Sequence, residues 1–184
     1  MPSLVYVGIF KTQSRGRQHI LKEKGCMMDY LNLVPVTGVI VSITRGEDCC
    51  SQMLTLHTSG GIVNFIMDGE TIVLENRQLR AGMRIAAFYD STLAVPLIFP
   101  PQYRAAVVTS IGRSQQVMLT YFDSSLLSQD GNLQLNVGRN TMIRTANGQS
   151  YSCSVGDHIL LVYYTATTRS MPPQTTPEKI VVFC

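Results

Sequence analysis

The chain has 184 residues, of which 45% are hydrophobic and only 15% are charged, so it is long enough for one or two domains with a buried core. This composition excludes an intrinsically disordered chain. The net charge of +3 is small for a nucleic-acid-binding domain, which usually carries a dense basic stripe. Much of the basic excess lies in one N-terminal stretch: Lys11, Arg15, Arg17, Lys22 and Lys24.

The residue pattern of residues 1–36 differs from that of the rest of the chain. Residues 4–10 predict a short strand, and residues 14–31 predict a helix in which Gly16 and Gly25 are unfavourable. Pro35 is expected to end this N-terminal extension, because proline punctuates regular structure.

Short runs rich in Val, Ile and Leu, bounded by Gly, Asp and Asn, follow from residue 37 onward. Such runs predict a small antiparallel barrel or sandwich. The first series lies at 37–43, 53–57, 62–67, 71–74, 84–89 and 105–109. The second series lies at 117–121, 133–137, 141–145, 149–153, 157–165 and 179–183.

Three anchors align the second series with the first. They are residues 82–89 with 156–163, Pro100-Pro101-Gln102 with Pro172-Pro173-Gln174, and residues 105–108 with 179–182. A repeat of about 73 residues is longer than a solenoid period and indicates a duplicated module. We predict an all-β chain of two tandem OB-like β-barrel modules, 37–112 and 113–184, after a strand/helix extension, 1–36. Gly82 and Gly156 are each expected to adopt positive φ before a central, buried strand.

The loop motifs resemble an uncharacterised tandem β-module family of Gram-positive anaerobic bacteria. The resemblance covers residues 37–184 and is carried by Phe88-Tyr89-Asp90, by the stretch 95–103 that ends in Pro-Pro-Gln-Tyr, and by the Pro-rich stretch 170–179. Some members of that family join the repeat to a copper-amine-oxidase-like N-terminal domain. The family has no assigned activity, so the resemblance implies the repeat and no catalytic role.

No catalytic signature is present in the sequence. It has no Gly-x-Ser-x-Gly turn, no Gly-rich phosphate or dinucleotide loop and no His-Glu-x-x-His motif. We therefore predict no catalytic residue, no metal and no cofactor. An unrecognised hydrolase is the alternative, although the acidic pairs Glu47/Asp48 and Asp68/Glu70 are typical of turns. His57 with Cys49 and Cys50 is the alternative metal or thiol site.

The five cysteines include an adjacent pair and no Cys-x-x-Cys motif, which favours free thiols in a reducing compartment. No apolar stretch approaches the ~18 residues of a membrane helix. The apolar start lacks the preceding basic residues of a signal peptide. We predict a cytoplasmic protein with no membrane contact, or a secreted protein if the true start lies elsewhere.

The Pro-Pro-Gln loops are the candidate binding sites. The first loop has a large apolar content, which indicates either packing over a barrel end or the sister module, or an apolar recognition surface. We predict a non-catalytic binding or assembly module whose partner is a protein or a second copy. The candidate residues are Tyr89, Pro96, Phe99, Pro100, Pro101, Gln102 and Tyr103, with Pro172, Pro173 and Gln174 in the second, more polar loop.

Binding of a single-stranded nucleic acid or an oligosaccharide through the OB-like barrel faces is the alternative function. Such sites combine a basic groove with aromatic side chains on which bases stack. The tyrosines needed for stacking are present, but the basic residues near them are sparse.

Overall fold

The computed structural model describes residues 30–184 and shows an all-β architecture, as the sequence predicts. The predicted strand 4–10 and nearly all of the predicted helix 14–31 lie outside the described residues. The first strands are β1 (Leu33–Arg45), β2 (Gln52–Thr58), β3 (Gly61–Met67), β4 (Ile72–Val73), β5 (Arg84–Asp90), β6 (Gln102–Arg104) and β7 (Val107–Ser110). The remaining strands are β8 (Gln116–Phe122), β9 (Gln134–Leu135), β10 (Met142–Thr145), β11 (His158–Tyr164), β12 (Gln174–Thr175) and β13 (Lys179–Phe183).

The strands form three sheets, none of which is closed into a barrel in the described part of the chain. The largest has seven strands in the order β4-β7-β5-β1-β2-β3-β6. The second has four, β10-β13-β11-β8, and the third pairs β12 with β9. β5 and β11 are central strands with buried apolar residues, in agreement with the sequence prediction.

The first strand is longer than predicted. β1 pairs with β5 from Leu33 to Val39 and with β2 from Val39 to Arg45, with an irregularity between Ile40 and Ser42. Pro35 lies inside β1, so the prediction that it ends a segment is wrong. A proline is tolerated here because this half of β1 has a neighbour on one side only, and the missing N–H interrupts no second ladder.

The chain changes partner strand between two adjacent alanines. The amide of Ala105 donates to Ile66 O at 2.8 Å, and the amide of Ala106 donates to Phe88 O at 2.8 Å. β6 therefore pairs with β3, whereas β7, which follows directly, pairs with β5. β6 and β12 both lie in stretches that the sequence predicts as loops.

The backbone hydrogen bonds around the first Pro-Pro-Gln segment recur around the second. The amide of Asn64 donates to Pro101 O, and the amide of Gln134 donates to Pro173 O, both at 2.9 Å. Three further bonds of the first half have a counterpart in the second. They are Ala106 N to Phe88 O with Glu178 N to Tyr163 O, Thr71 Oγ1 to Ala105 O with Thr141 Oγ1 to Pro177 O, and Ile72 N to Ala106 O with Met142 N to Glu178 O.

These bonds make Phe88 the counterpart of Tyr163, one position away from the predicted alignment with Val162. They also make Ala106 the counterpart of Glu178, so the predicted alignment of residues 105–108 with 179–182 is wrong by two positions. The backbone conformation agrees, because Gly82 has φ +86° and Asp157, not Gly156, has φ +62°. The prediction of positive φ is confirmed at Gly82 and wrong at Gly156. Gly156 instead lies in a crowded position, because an added Cβ would lie 3.0 Å from Ser124 Cα.

Of the predicted strands of the second series, one is shorter in the structure and one is absent. The run 133–137 contributes only the two residues of β9. The run 149–153 forms no strand, and Ser150 makes a single bridge to Arg144. The hairpin that turns at Gly148, with φ +83°, brings this short stretch back along β10.

Three clusters of buried side chains hold the sheets together. One lies within the first half and is centred on Leu54, Leu56 and Phe65, and one lies within the second half and includes Phe122, Leu160 and Ile180. The third, here called the shared cluster, contains residues from both halves: Leu33, Leu74, Ala86, Phe88, Val107, Ile111, Leu119, Ile159, Leu161, Tyr163, Val181 and Phe183. No helix within residues 30–184 is long and apolar enough to cross a membrane.

Candidate functional site

The loop between β5 and β6, residues 91–101, carries the most exposed apolar side chains in the first half. It is called the apolar loop below. Leu97 is 105% exposed and Phe99 92% exposed relative to the free residue. The large apolar side chains that the loop exposes are Leu93, Val95, Leu97, Ile98 and Phe99. The sequence left open whether this loop packs inward, and these side chains face solvent.

Hydrogen bonds fix both ends of the apolar loop. At its start, the amide and hydroxyl of Ser91 donate to Asn32 O at 3.1 and 3.0 Å, and the Asp90 carboxylate accepts from Thr92 N and Oγ1 at 2.8 and 2.7 Å. These bonds from Thr92 lower the pKa of Asp90. At its end, Pro101 O accepts from Asn64. The loop is thus a defined projection from the sheet.

Prolines stiffen the exposed part of this loop. Pro96, Pro100 and Pro101 each fix φ, and the Phe99–Pro100 peptide bond is cis. The amide of Ile98 donates to Pro96 O at 2.9 Å, which closes a tight turn directly before Phe99. Pro100, Pro101 and Gln102 are half-buried where the loop joins β6.

Two predicted site residues belong to the base of the loop, not to its exposed surface. The rings of Tyr89 and Tyr103 stack with centroids 4.1 Å apart, and Tyr103 also packs 5.7 Å from the buried ring of Phe65. Burial, followed by the neighbouring Tyr103, raises the pKa of Tyr89. These aromatic side chains hold the base of the loop in place, because they pack the strands on either side of it, β5 and β6, against the core of the first half.

The second Pro-Pro-Gln loop, residues 165–173, is polar and hydrogen-bonded to itself. Thr168 Oγ1 lies 2.6 Å from Ser170 Oγ and accepts from Gln174 N at 2.9 Å, and Ser170 Oγ donates to Pro172 O at 2.8 Å. Its Met171–Pro172 bond is also cis, and Met171 is 98% exposed. Pro172, Pro173 and Gln174 are half-buried, so this loop presents one apolar side chain where the first presents five.

The other residues that could carry chemistry, the histidines, cysteines and acidic pairs, do not come together in one site. Among residues 30–184, no three His, Cys, Asp or Glu side chains are placed to hold a metal ion. His57 is exposed on β2, and Cys49 and Cys50 lie in the β1–β2 turn, where Arg45 donates to Cys49 Sγ at 2.9 Å. Cys153 and Cys184 are free and exposed as well.

The acidic pairs act as turn residues, as the sequence favours. The Asp48 carboxylate accepts from Cys50 N at 2.8 Å, and the Asp68 carboxylate accepts from Glu70 N at 3.0 Å. His158 bridges Gly156 O and the Tyr151 hydroxyl at 2.7 and 3.2 Å, which gives it a structural role. Cys26 and His19 lie outside the described residues.

A polar cleft that the sequence did not reveal lies beside β3 and β6. Its volume is about 360 Å³, and Arg104 and Asp68 form an ion pair of 3.3 Å within it. Gln102, predicted as a loop residue, lies on β6 and lines this cleft. The other lining residues are Arg45, Gly46, Glu47, Asp48, Ser51, Met53 and Ile66. In the sequence, the polar residues Gln102 and Arg104 alternate with Tyr103, which is the pattern of a strand. This pattern spans only three residues, which is too short to predict β6 or the cleft.

No protein-family model matches the sequence, and no curated protein matches it significantly. The resemblance to the tandem-module family of anaerobic bacteria therefore stays a prediction.

Proposed function

We propose that this chain is a non-catalytic binding module that captures a protein partner through the apolar loop. The observation that carries the proposal is the concentration of exposed apolar side chains at residues 93–99. Exposed apolar patches of this kind mark interaction sites in soluble proteins. Leu97 and Phe99 would enter an apolar pocket of the partner, and the polar residues of the flanking strands would form the rim.

The energetics of such a contact support the proposal. Burial of a Leu or Phe side chain contributes roughly 1.5–3 kcal/mol relative to exposure. Because the prolines and the hydrogen bonds at both ends already restrict the loop, little conformational entropy remains to be lost on binding. The loop 165–173 is polar, and its hydroxyls hydrogen-bond within the loop. It offers no comparable exposed apolar surface, so we assign recognition to the apolar loop alone.

The charge distribution favours a protein partner over a nucleic acid. Ten basic and ten acidic residues lie from residue 30 onward, so the described part of the chain has no formal net charge. Affinity for nucleic acid depends on neutralising phosphates with Lys and Arg. The stacked rings of Tyr89 and Tyr103 are partly buried against Phe65, which leaves them less available to stack on bases.

We further propose that the two halves are duplicated OB-like modules. In the first half, β1 pairs with β5 and β2, β2 with β3, and the segment β6–β7 pairs with β3 at one end and β5 at the other. This order of pairing supports the proposal, because a five-stranded, partly open Greek-key barrel has the same one. The recurring hydrogen bonds at Pro101 and Pro173 support a common origin of the halves. In this architecture the apolar loop joins the last two strands.

A photo-crosslinking experiment tests the recognition surface. A photoreactive residue at Ile98 should label one protein in native cells, and the same residue at Met171, in the polar loop, should not. The affinity of the purified partner for Leu97→Ser/Phe99→Ser should then fall at least about 100-fold, because both central contacts are removed.

Unfolding by urea serves as the control for this double variant. Because both side chains are exposed, its free energy of unfolding should stay within about 0.5 kcal/mol of the parent. Labelling of the same proteins from both positions, or an unchanged affinity, would refute the assignment of the loop as the recognition surface.

The polar cleft supports a second candidate function, the binding of an oligosaccharide. Its Arg, Asp and Gln side chains offer donors and acceptors above the apolar side chains of Met53 and Ile66. We expect Gln102→Ala to weaken glycan binding about tenfold, as the loss of one or two hydrogen bonds would. Gln174→Ala, at the counterpart position, is the matched control. Binding measured by a glycan array and calorimetry that is equal in both variants would eliminate the cleft as the site.

A further inference from the structure

One edge of β8 carries open backbone groups. On its other side β8 pairs with β11, from Gln116 to Phe122. Tyr121 O accepts from Gln129 N at 2.9 Å, so the backbone groups of Tyr121 point away from β11. Because these groups alternate along a strand, Val117 and Leu119 present their N–H and C=O on the same edge. Within residues 30–184, no strand pairs with that edge at Val117 or Leu119.

A groove of about 760 Å³ runs along this edge. Residues 117–120 of β8 form one wall, and Asn32, just before β1, and Pro35, within it, form the other. The β1 wall is a poor partner for an added strand, because Pro35 has no N–H to donate. The β8 wall has both donors and acceptors, so a strand entering the groove would pair with β8.

The position where the described chain begins indicates the occupant. Leu31 and Asn32 line the groove, and the ring of the preceding residue, Tyr30, packs 4.9 Å from that of Phe183. Twenty-nine residues precede Tyr30 in the sequence. They include Leu-Val-Tyr-Val-Gly-Ile-Phe at 4–10, which has high β-propensity and is long enough to cover the open edge at Val117 and Leu119.

We propose that residues 4–10 of this chain add to the open edge of β8 as a further strand of the second sheet. The linker 11–29 can span up to about 60 Å when extended, which permits either strand direction. Its attachment gives the segment an effective concentration on the order of millimolar, which favours the chain's own segment over that of a second copy. The direction that brings residue 10 to the Tyr121 end of the edge would place the charge of Lys11 near that of Asp130 at the groove. This inference is independent of the recognition role of the apolar loop.

Amide hydrogen exchange in the full-length chain tests this strand addition. In the parent protein, the amides of Val117 and Leu119 should be protected. Tyr6→Pro/Val7→Pro should accelerate their exchange at least about tenfold, because prolines cannot occupy the middle of a strand. Gln13→Pro/Ser14→Pro, in the linker, is the matched control and should leave the exchange unchanged.

The amide of Leu161 on β11 reports whether the variant stays folded, and it should stay protected in all three proteins. Equally rapid exchange of Val117 and Leu119 in the parent and in Tyr6→Pro/Val7→Pro would overturn the proposal. Protection that rises with protein concentration would also overturn it, because the donor would then be a second copy.

Discussion

Phe88→Ala is expected to lower the free energy of unfolding by about 3–5 kcal/mol, the usual loss for truncating a buried phenylalanine. Phe88 is 0% exposed and belongs to the shared cluster, where residues of both halves pack together. The substitution removes apolar contacts and leaves a cavity that the surrounding sheets cannot fill by collapse. Urea unfolding followed by circular dichroism measures the change.

Phe99→Ala is the matched control, because it makes the same chemical change on the exposed apolar loop. Its effect on the free energy of unfolding should be under about 0.5 kcal/mol. Similar losses in the two variants would contradict the packing described for both residues. Because the shared cluster joins the halves, we also expect Phe88→Ala to lower the stability of both, and separate unfolding of a still-stable second half would argue against that coupling.

The pattern of short β-branched runs predicted most of the strands, since alternation and turn residues act locally. It missed β6 and β12, because they are two or three residues long and follow prolines. Their pairing depends on β3 and β9, which are distant in sequence. It also misaligned the halves by one residue at β11, where Gly156 was matched to Gly82 but Asp157 has the left-handed conformation. At β13 the misalignment is two residues, because Val107 corresponds to Lys179.

The candidate site was predicted in part. The motif located the loop, but composition alone does not decide whether an apolar loop packs inward or faces solvent. Phe99 and Tyr103 carry similar rings four positions apart, yet the structure exposes the first and packs the second against Phe65. That difference arises from the strand β6, which turns Tyr103 toward the core. A test that replaces both residues would therefore mix a loss of recognition with a loss of stability, and the pair Leu97 and Phe99 avoids this.

The two halves also differ in how their loops satisfy hydrogen bonds. In the loop 165–173, the hydroxyls of Thr168 and Ser170 bond within the loop and leave Met171 as its exposed apolar side chain. In the apolar loop, residues 93–99 carry no such hydroxyls. If the halves are duplicated modules, as proposed, one copy has kept a hydrogen-bonded loop while the other exposes the apolar side chains of the proposed recognition surface.

Tyr163 is expected to make the protein lose stability at alkaline pH. Its side chain is 0% exposed, and its hydroxyl lies 2.6 Å from Thr109 Oγ1 of the other half. Lys179 Nζ sits 3.9 Å from its ring centroid and also pairs with Glu75. Burial raises the pKa of Tyr163 far above its ordinary value, and the nearby Glu75 raises it further, while the Thr109 hydrogen bond lowers it.

The raised pKa determines the direction of the pH effect. Above pH ~10 the unfolded chain releases the phenol proton and the folded chain retains it, so the unfolded state is favoured as pH rises. This one group should make the free energy of unfolding fall by up to about 1.4 kcal/mol per pH unit from pH 10 upward. The contribution of Tyr163 is intact below pH 10.

Tyr163→Phe should therefore be less stable than the parent at pH 7, by about 1–3 kcal/mol, because Thr109 loses its buried partner. The gap should narrow as pH rises from 10 to 11.5, since the variant has no phenol to ionise. Urea unfolding across this range measures both slopes, and the other ionisable side chains are the same in both proteins. Thr109→Val is the control: it removes the same hydrogen bond but keeps the phenol, so its slope should stay as steep as that of the parent. Parallel curves for Tyr163→Phe and the parent would show that Tyr163 ionises in the folded protein as readily as in the unfolded chain, which a phenol enclosed in the shared cluster should not do.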